Sequence, residues 1–266
     1  MTTLNVIQEK ENISYSSLTN FDSCPRLYKL ANKDKLSKKS KTPETSFGTL
    51  IHFYSQAILC NLVDGKEASE KFYKTWKRFC KFYKLDKKFE DLTEPGMQII
   101  GSTKDFFDTN FPGHKVLHIE YKIKTVLEKY PRNFKGYIDL VLEMPDGKII
   151  VADFKTTKSS YNFKKYQDKI KDYQLTLYKY FYSILAKKPL ESIETCFIIF
   201  EKDLKSKTPI SLIKVTSGSV KINNAITWMN NIVRLIEDNK FLKNKLHCRK
   251  FGDAYKCEFF KTPHCK

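Results

Sequence analysis

Nowhere in its 266 residues does the chain carry an apolar run approaching the ~18 residues that would cross a membrane, and its first residues show no apolar signal-peptide core. It has no Gly/Ser/Pro-rich linker, no GxxxxGK[ST] phosphate loop and only 9 glycines. These absences set aside a membrane-spanning protein and a string of tethered modules, and any nucleotide-driven motor would have to be a separate chain. Acidic residues are also scarce, 30 against 48 lysines and arginines, for a formal net charge of +18. The basic excess is spread along the chain. Such a field attracts polyanions, either nucleic acid or an anionic membrane surface, and without a membrane segment nucleic acid is the better match. Charge alone does not decide this, because a Lys-rich, Gly-poor composition also follows from AT-rich coding DNA.

The length suits one sizeable core. We expect a single domain over 1–266, with a helical part at 14–110, an α/β core at 115–216 and a C-terminal helix with a cysteine-rich segment at 218–266. An intracellular, cytoplasmic setting is expected, a virus-encoded protein in a host cytoplasm included. Seven cysteines in such a chain suggest thiols or metal ligands more than disulfides. Cys60, Cys80 and Cys196 stand singly in apolar segments and read as small buried hydrophobes. Cys248, Cys257 and Cys265 crowd into the last nineteen residues, and Cys24 stands alone near the start.

Ser14 is placed to cap a short helix ending before Pro25. Helical spacing predicts further helices over 46–63, 68–85 and 95–109; in the second, Phe72, Trp76, Phe79 and Tyr83 form a stripe expected in the core. From Lys115 the period changes to two, with Leu117, Ile119, Tyr121 and Ile123 alternating against polar residues. After this strand come a β-hairpin, a long helix at 166–186, a buried strand at 194–200, a strand at 210–215 and a helix at 220–237. The order predicts an α/β fold with a mixed central sheet flanked by helices.

The hairpin GYIDLVLEMPDGKIIVADFKT is the most informative stretch. With Pro145, Asp146 and Gly147 as its loop, Met144 pairs with Lys148 and Asp139 falls opposite Asp153. Directly opposed residues have Cβ atoms ~5 Å apart, where like charges destabilise a strand pair unless a cation lies between them. Hard divalent ions such as Mg²⁺ take one or two carboxylates plus water and substrate phosphates, so the geometry describes a phosphoryl-transfer or nuclease site. Strand alternation turns Lys155 the same way as Asp153, where it can orient a water or steady charge developing on phosphorus. A two-residue loop would shift the register by one and separate the carboxylates.

GTLIH with His52, then GYID, then DFKT, then QLTLY with Gln174 and Tyr178, resembles in its order the PD-(D/E)XK nuclease superfamily, specifically the RecB-type group that includes CRISPR-adaptation exonucleases. The resemblance spans about residues 14–265. It implies that His52, Asp139, Asp153 and the Phe154 carbonyl contact Mg²⁺ or Mn²⁺, that Lys155 positions the attacking water, and that Gln174 and Tyr178 organise the site. Glu120 matches an acidic residue common on the preceding strand. Members of the group often bind a [4Fe-4S] cluster through one cysteine before the core and three after it; Cys24, Cys248, Cys257 and Cys265 match that set, although they are spaced more widely than is usual. Four thiolates also suit zinc, with His247 or His264 as replacements, and unliganded thiols are the third option.

These residues together predict a metal-dependent deoxyribonuclease, an exonuclease on single-stranded DNA or DNA ends, working in recombination, repair or replication beside a helicase or another recombination or replication protein. Lys33, Lys35, Lys38 and Lys39 in one basic loop, and Lys158, Tyr161, Lys164 and Lys165 in another segment, are the candidate strand contacts. The alternatives are a non-catalytic DNA-binding or assembly module on the same fold and, third, a site-specific restriction-like endonuclease.

Overall fold

A computed structural model describes residues 11–37, 42–158, 169–202, 208–249 and 257–265, without the side chains of 169, 170, 248 and 249. Lys38, Lys39, Tyr161, Lys164 and Lys165 lie outside the described residues, as do the start of the helix expected from Tyr166 and the side chain of Cys248. In chain order the first elements are β1 (Glu11–Ile13), α1 (Tyr15–Ser23), α2 (Pro25–Tyr28), α3 (Pro43–Leu59), α4 (Gly65–Tyr83), α5 (Lys87–Glu90), α6 (Thr93–Gly101) and α7 (Thr103–Asn110). There follow β2 (Lys115–Val126), β3 (Arg132–Glu143), β4 (Ile149–Thr157), α8 (Lys169–Ala186), β5 (Ile193–Glu201), β6 (Ile210–Val215), α9 (Ser219–Glu237) and α10 (Lys245–Arg249). The strands pair in the order β1-β3-β4-β5-β6, with β2 also on β3. This is the mixed, helix-flanked sheet that the sequence predicts.

Two compact units emerge. One joins Met1–Lys39, Lys122–Gly136 and Asn223–Lys266; the other joins Ser40–Tyr121 and Tyr137–Ile222. In the larger unit β3 and β4 form the hairpin, with Met144 N–H donating to Lys148 O at 2.8 Å and Gly147 at φ +81°, the left-handed conformation that lets a three-residue loop close. The ladder runs Glu143↔Ile149 to Leu140↔Ala152, so the next step outward sets Asp139 opposite Asp153. β4 and β5 are parallel and joined through α8, since parallel neighbours need a crossover. One sheet face, with Leu140, Leu142, Ile150, Ala152, Phe154 and Phe200, packs on α3, α4, α6 and α7. The other is covered by α8, which packs on β4 and β5.

Caps set the helix starts: Thr42 accepts from Thr45 N–H before α3, and Asp64 from Glu67 N–H before α4. Of the α4 stripe, Phe72 and Trp76 are fully buried, whereas Tyr83 is 58 % exposed because α4 outruns its partners in the last turn. The helix expected over 95–109 is two, α6 and α7, parted at Gly101 and Ser102, two weak helix formers in succession. Cys80 and Cys196 are buried as expected; Cys60 is exposed, having fallen at the C-cap of α3 instead of on its apolar face.

In the smaller unit β1 pairs in parallel with the start of β3, and Ser14 with Ser17 forms a capping box at α1. Arg132 is buried and donates to Glu11 and to Glu237, which secures both of its charged ends. Tyr28 and Phe241 stack, and Phe21 meets both edge-on.

Candidate active site

Asp139, Asp153, Lys155, Gln174 and Tyr178 come together in the larger unit as one connected network. Asp139 Oδ2 accepts the Phe154 N–H at 2.6 Å, so the carboxylate takes the place of a ladder bond where the two strands part. Asp153 is 3 % exposed. Its Oδ1 accepts from Gln174 Nε2 at 2.6 Å, and the same amide lies 3.4 Å from the Tyr178 hydroxyl. Lys155 Nζ is 2.5 Å from Asp153 Oδ2, a close ion pair that answers the charge of this buried oxygen. A divalent ion bound there would share the Asp153 carboxylate with this ammonium.

The electrostatics follow from burial. Burial raises the Asp139 carboxyl well above the ordinary carboxylate range and the charge of Asp153 adds to this, against the Phe154 N–H and Lys155. Asp153 is raised in the same way, with Lys155 pulling it down. Burial and then the charge of Asp153 push the Tyr178 phenol up, so it stays neutral and can donate. His52 is lowered to about 4, first by burial and then by Lys155, which leaves a neutral imidazole with a lone pair available for a metal. Its ring stands edge-on to Phe154 at 5.4 Å, on the sheet face opposite Asp153.

Glu120 joins the site through a residue that sequence reasoning missed. Gln56, one turn beyond His52 on α3, donates from Nε2 to Glu120 Oε1 at 2.9 Å and to the Asp139 main-chain oxygen at 3.1 Å. A helix glutamine ordinarily reads as surface; its i+4 spacing from His52 was the available signal. Glu120 itself has φ +50° inside a strand. The left-handed residue turns the strand locally: Ile119 packs into the core under α3, while the Tyr121 ring lies 5.1 Å from Tyr182 on α8. Holding a glutamate there costs on the order of 1–3 kcal/mol and is a mark of functional sites.

Among the described residues no three His, Cys, Asp or Glu side chains stand close enough to close around an ion. Two carboxylates and a main-chain carbonyl nevertheless suit Mg²⁺ or Mn²⁺, which keep much of their shell as water and phosphate oxygen. A cavity of about 700 Å³ is lined by the end of α3, by Lys104 and Asp108 of α7 and by the start of β2; neither Asp139 nor Asp153 lines it. Of the expected strand contacts, Lys158 is exposed at the end of β4. Lys33 donates to Asn239 Oδ1 at 2.9 Å and, with Lys35 and Lys135, lines a polar cavity of about 440 Å³ in the smaller unit.

The cysteines also draw together in the smaller unit. Cys24 and Cys265 are buried and Cys257 half-buried, with Leu30 and Phe259 packed around the last two. Burial raises the Cys257 thiol, and Cys24 and Cys265 are close enough to add to it. The Asn244 N–H donates to Cys24 Sγ at 3.4 Å.

Compared with known families, residues 12–259 match the model of the PD-(D/E)XK nuclease superfamily. The chain belongs to this superfamily. In this PD-(D/E)XK nuclease Asp139 stands on β3 and Asp153 with Lys155 on β4, the two arms of one hairpin. Members of the superfamily typically use Mg²⁺ or Mn²⁺. A crystallised protein from Eubacterium rectale, named "putative exonuclease", superposes with a TM-score of 0.53 at 14 % identity, covering 93 % of this chain and 91 % of its own, which supports the same fold. A second crystal structure, SSO0001, covers 98 % of this chain and 89 % of its own at 15 % identity, with a TM-score of 0.41 too low to carry an argument. No curated protein matches the sequence. No described helix is long and apolar enough to cross a membrane.

Proposed function

We propose that this PD-(D/E)XK nuclease is a metal-dependent deoxyribonuclease that digests single-stranded DNA from an end. The observation that carries the reading is the pair of carboxyls, Asp139 and the buried Asp153, on one face of the hairpin with Lys155 Nζ 2.5 Å from Asp153 Oδ2. Asp139, Asp153 and the Phe154 carbonyl would hold Mg²⁺ or Mn²⁺, with Glu120 on the flank and His52 packed behind Phe154; a bound divalent ion lowers the pKa of water and neutralises charge developing on the phosphate. Lys155 orients the attacking water toward phosphorus. Gln174 fixes the Asp153 rotamer through Oδ1, and Tyr178 offers a neutral hydroxyl beside it. As the water oxygen bonds to phosphorus, one P–O ester bond breaks and the departing oxygen takes up a proton.

The cysteine site fits a thiolate-ligated group in donor type. Cys24, Cys257 and Cys265 lie near one another without closing around an ion, and with Cys248 they would supply the four thiolates a [4Fe-4S] cluster requires; zinc is the alternative. Its role would be to tie the two ends of the chain into the smaller unit. The protein would act inside the cell, in recombination, repair or replication, with any motor on another chain.

The test is incubation of anaerobically purified protein and Mn²⁺ with end-labelled linear single-stranded DNA and with a circular strand, beside Asp153→Ala. Digestion of the linear strand only, lost in the variant, is expected. Tight binding of both strands without cleavage would instead make the chain a non-catalytic assembly module.

A further inference from the structure

We infer that Gln56 is a positioning residue of the metal site: it holds Glu120 beside the Asp139–Asp153 pair as a third carboxylate and so raises the affinity for the divalent ion. The inference rests on the nuclease reading for the meaning of the site, but what it predicts is ion binding. Gln56 Nε2 carries two hydrogens, and both are used, one on Glu120 Oε1 at 2.9 Å and one on the Asp139 main-chain oxygen at 3.1 Å. The second acceptor lies one residue beyond the last paired rung of β3 with β4, Leu140↔Ala152. Main-chain oxygens lie near the plane of a sheet, so a helix packed on one face can reach this one although the Asp139 side chain points to the other. The amide thereby ties β2 to β3 at the acidic centre.

The two partners differ in what holds them. Gln56 is buried near the end of α3, next to Ser55, whose hydroxyl meets that of Thr103 on α7 at 3.2 Å. Glu120 is exposed and has a left-handed backbone inside its strand. Beyond the effect of burial, its negative charge adds to the upward shift of both Asp139 and Asp153, so the three carboxyls feel one another. Like-charge repulsion and the strained φ both favour release of this glutamate into water, and the Gln56 amide opposes that release. The three carboxyls do not close around an ion by themselves. Glu120 therefore serves as a flanking charge, and its Oε2, with no partner among the described residues, is left to accept from the water shell that Mg²⁺ or Mn²⁺ retains. Groups that orient the carboxylates around a metal typically carry 10–100-fold in its affinity.

The experiment is calorimetric titration of Mn²⁺ into the metal-free full-length protein, for wild type, Gln56→Met, Glu120→Ala and the double variant, with the binding lost in Asp153→Ala taken as that of the site. Methionine keeps the length and bulk of glutamine without a donor; Gln56→Ala is run beside it, so that a fold defect in one variant does not decide the result. Gln56→Met should weaken Mn²⁺ binding about tenfold and Glu120→Ala at least as much. The double variant should bind no more weakly than Glu120→Ala alone, because an amide that acts through Glu120 then has nothing left to hold. An unchanged affinity in both Gln56 variants, an equal loss from Gln56→Met with and without Glu120, or a wild type that binds no Mn²⁺ at Asp153 would overturn the inference. Cleavage of linear single-stranded DNA with Mn²⁺ is scored separately. Coupled loss of Mn²⁺ affinity without any cleavage by wild type sinks the nuclease reading and spares the role of Gln56; cleavage by wild type with unaltered Mn²⁺ affinity in Gln56→Met does the reverse.

Discussion

Replacing Asp139 by asparagine should make the metal-free protein more stable, although the substitution falls on a partly buried residue of the candidate site. Two unit charges at the ~5 Å of directly opposed strand residues repel by about 3 kcal/mol at an effective dielectric of 20. Loss of the attraction between Asp139 and Lys155 returns part of this, leaving a net gain of about 1–2 kcal/mol. Asparagine keeps an oxygen for the Phe154 N–H, so no main-chain donor is stranded. The choice of partner matters, because Asp153 pairs with Lys155 and Gln174, and neutralising it would leave the lysine beside an uncharged group. The assay is thermal unfolding in EDTA, where the gain corresponds to roughly 2–8 °C for a chain of this size. In Mn²⁺ the order should reverse, with wild type rising and Asp139→Asn unmoved. A variant destabilised in EDTA would refute the reasoning, since Asp139 would then be a structural hydrogen-bonding group and not half of a repelling pair.

The pH dependence follows from the same pair. Both carboxyls are raised in the folded protein, so their favourable contribution is present below about pH 4, the unfolded value, and is lost as pH rises through the raised folded values. The gap between Asp139→Asn and wild type in EDTA should therefore widen from pH 4 toward neutrality, and the Mn²⁺-induced rise in wild-type Tm should grow with it; a gap that narrows contradicts the assignment. Glu120→Gly should relieve the φ of +50° by about 1 kcal/mol and raise thermal stability while lowering Mn²⁺-dependent cleavage, and a parallel fall in both would show that the backbone there is not strained. Gly96→Ala would place a Cβ 2.3 Å from Phe72 Cζ between α6 and α4, and should cost about 1–3 kcal/mol or more in chemical denaturation; a neutral result would mean that this helix pair is loosely packed.

The hairpin register was legible because a three-residue loop with glycine at its left-handed position admits one pairing, and that pairing brought Asp139, Asp153 and Lys155 to one face. Gln174 and Tyr178 were legible only through motif order, since neither residue type announces itself on a helix. Gln56 was hidden because its partners, a strand glutamate and a main-chain oxygen, come close only after the sheet forms. The strained conformation of Glu120 left no trace because glutamate has no preference for positive φ; the fold imposes it. The two compact units could not be read from composition, since each is assembled from segments distant in sequence. Tyr83 and Cys60 misled because they continue an apolar rhythm past the point where a partner surface ends.

The most direct measurement is the Mn²⁺-dependent cleavage rate of linear single-stranded DNA by wild type and by Lys155→Ala, with DNA affinity and Mn²⁺ binding matched by titration. The account predicts that the variant still binds both and that its rate falls by about 10²–10³, the cost of removing one preorganised charge-stabilising group. Cleavage by Lys155→Ala at the wild-type rate would contradict it, because the hairpin would then not be where the chemistry happens.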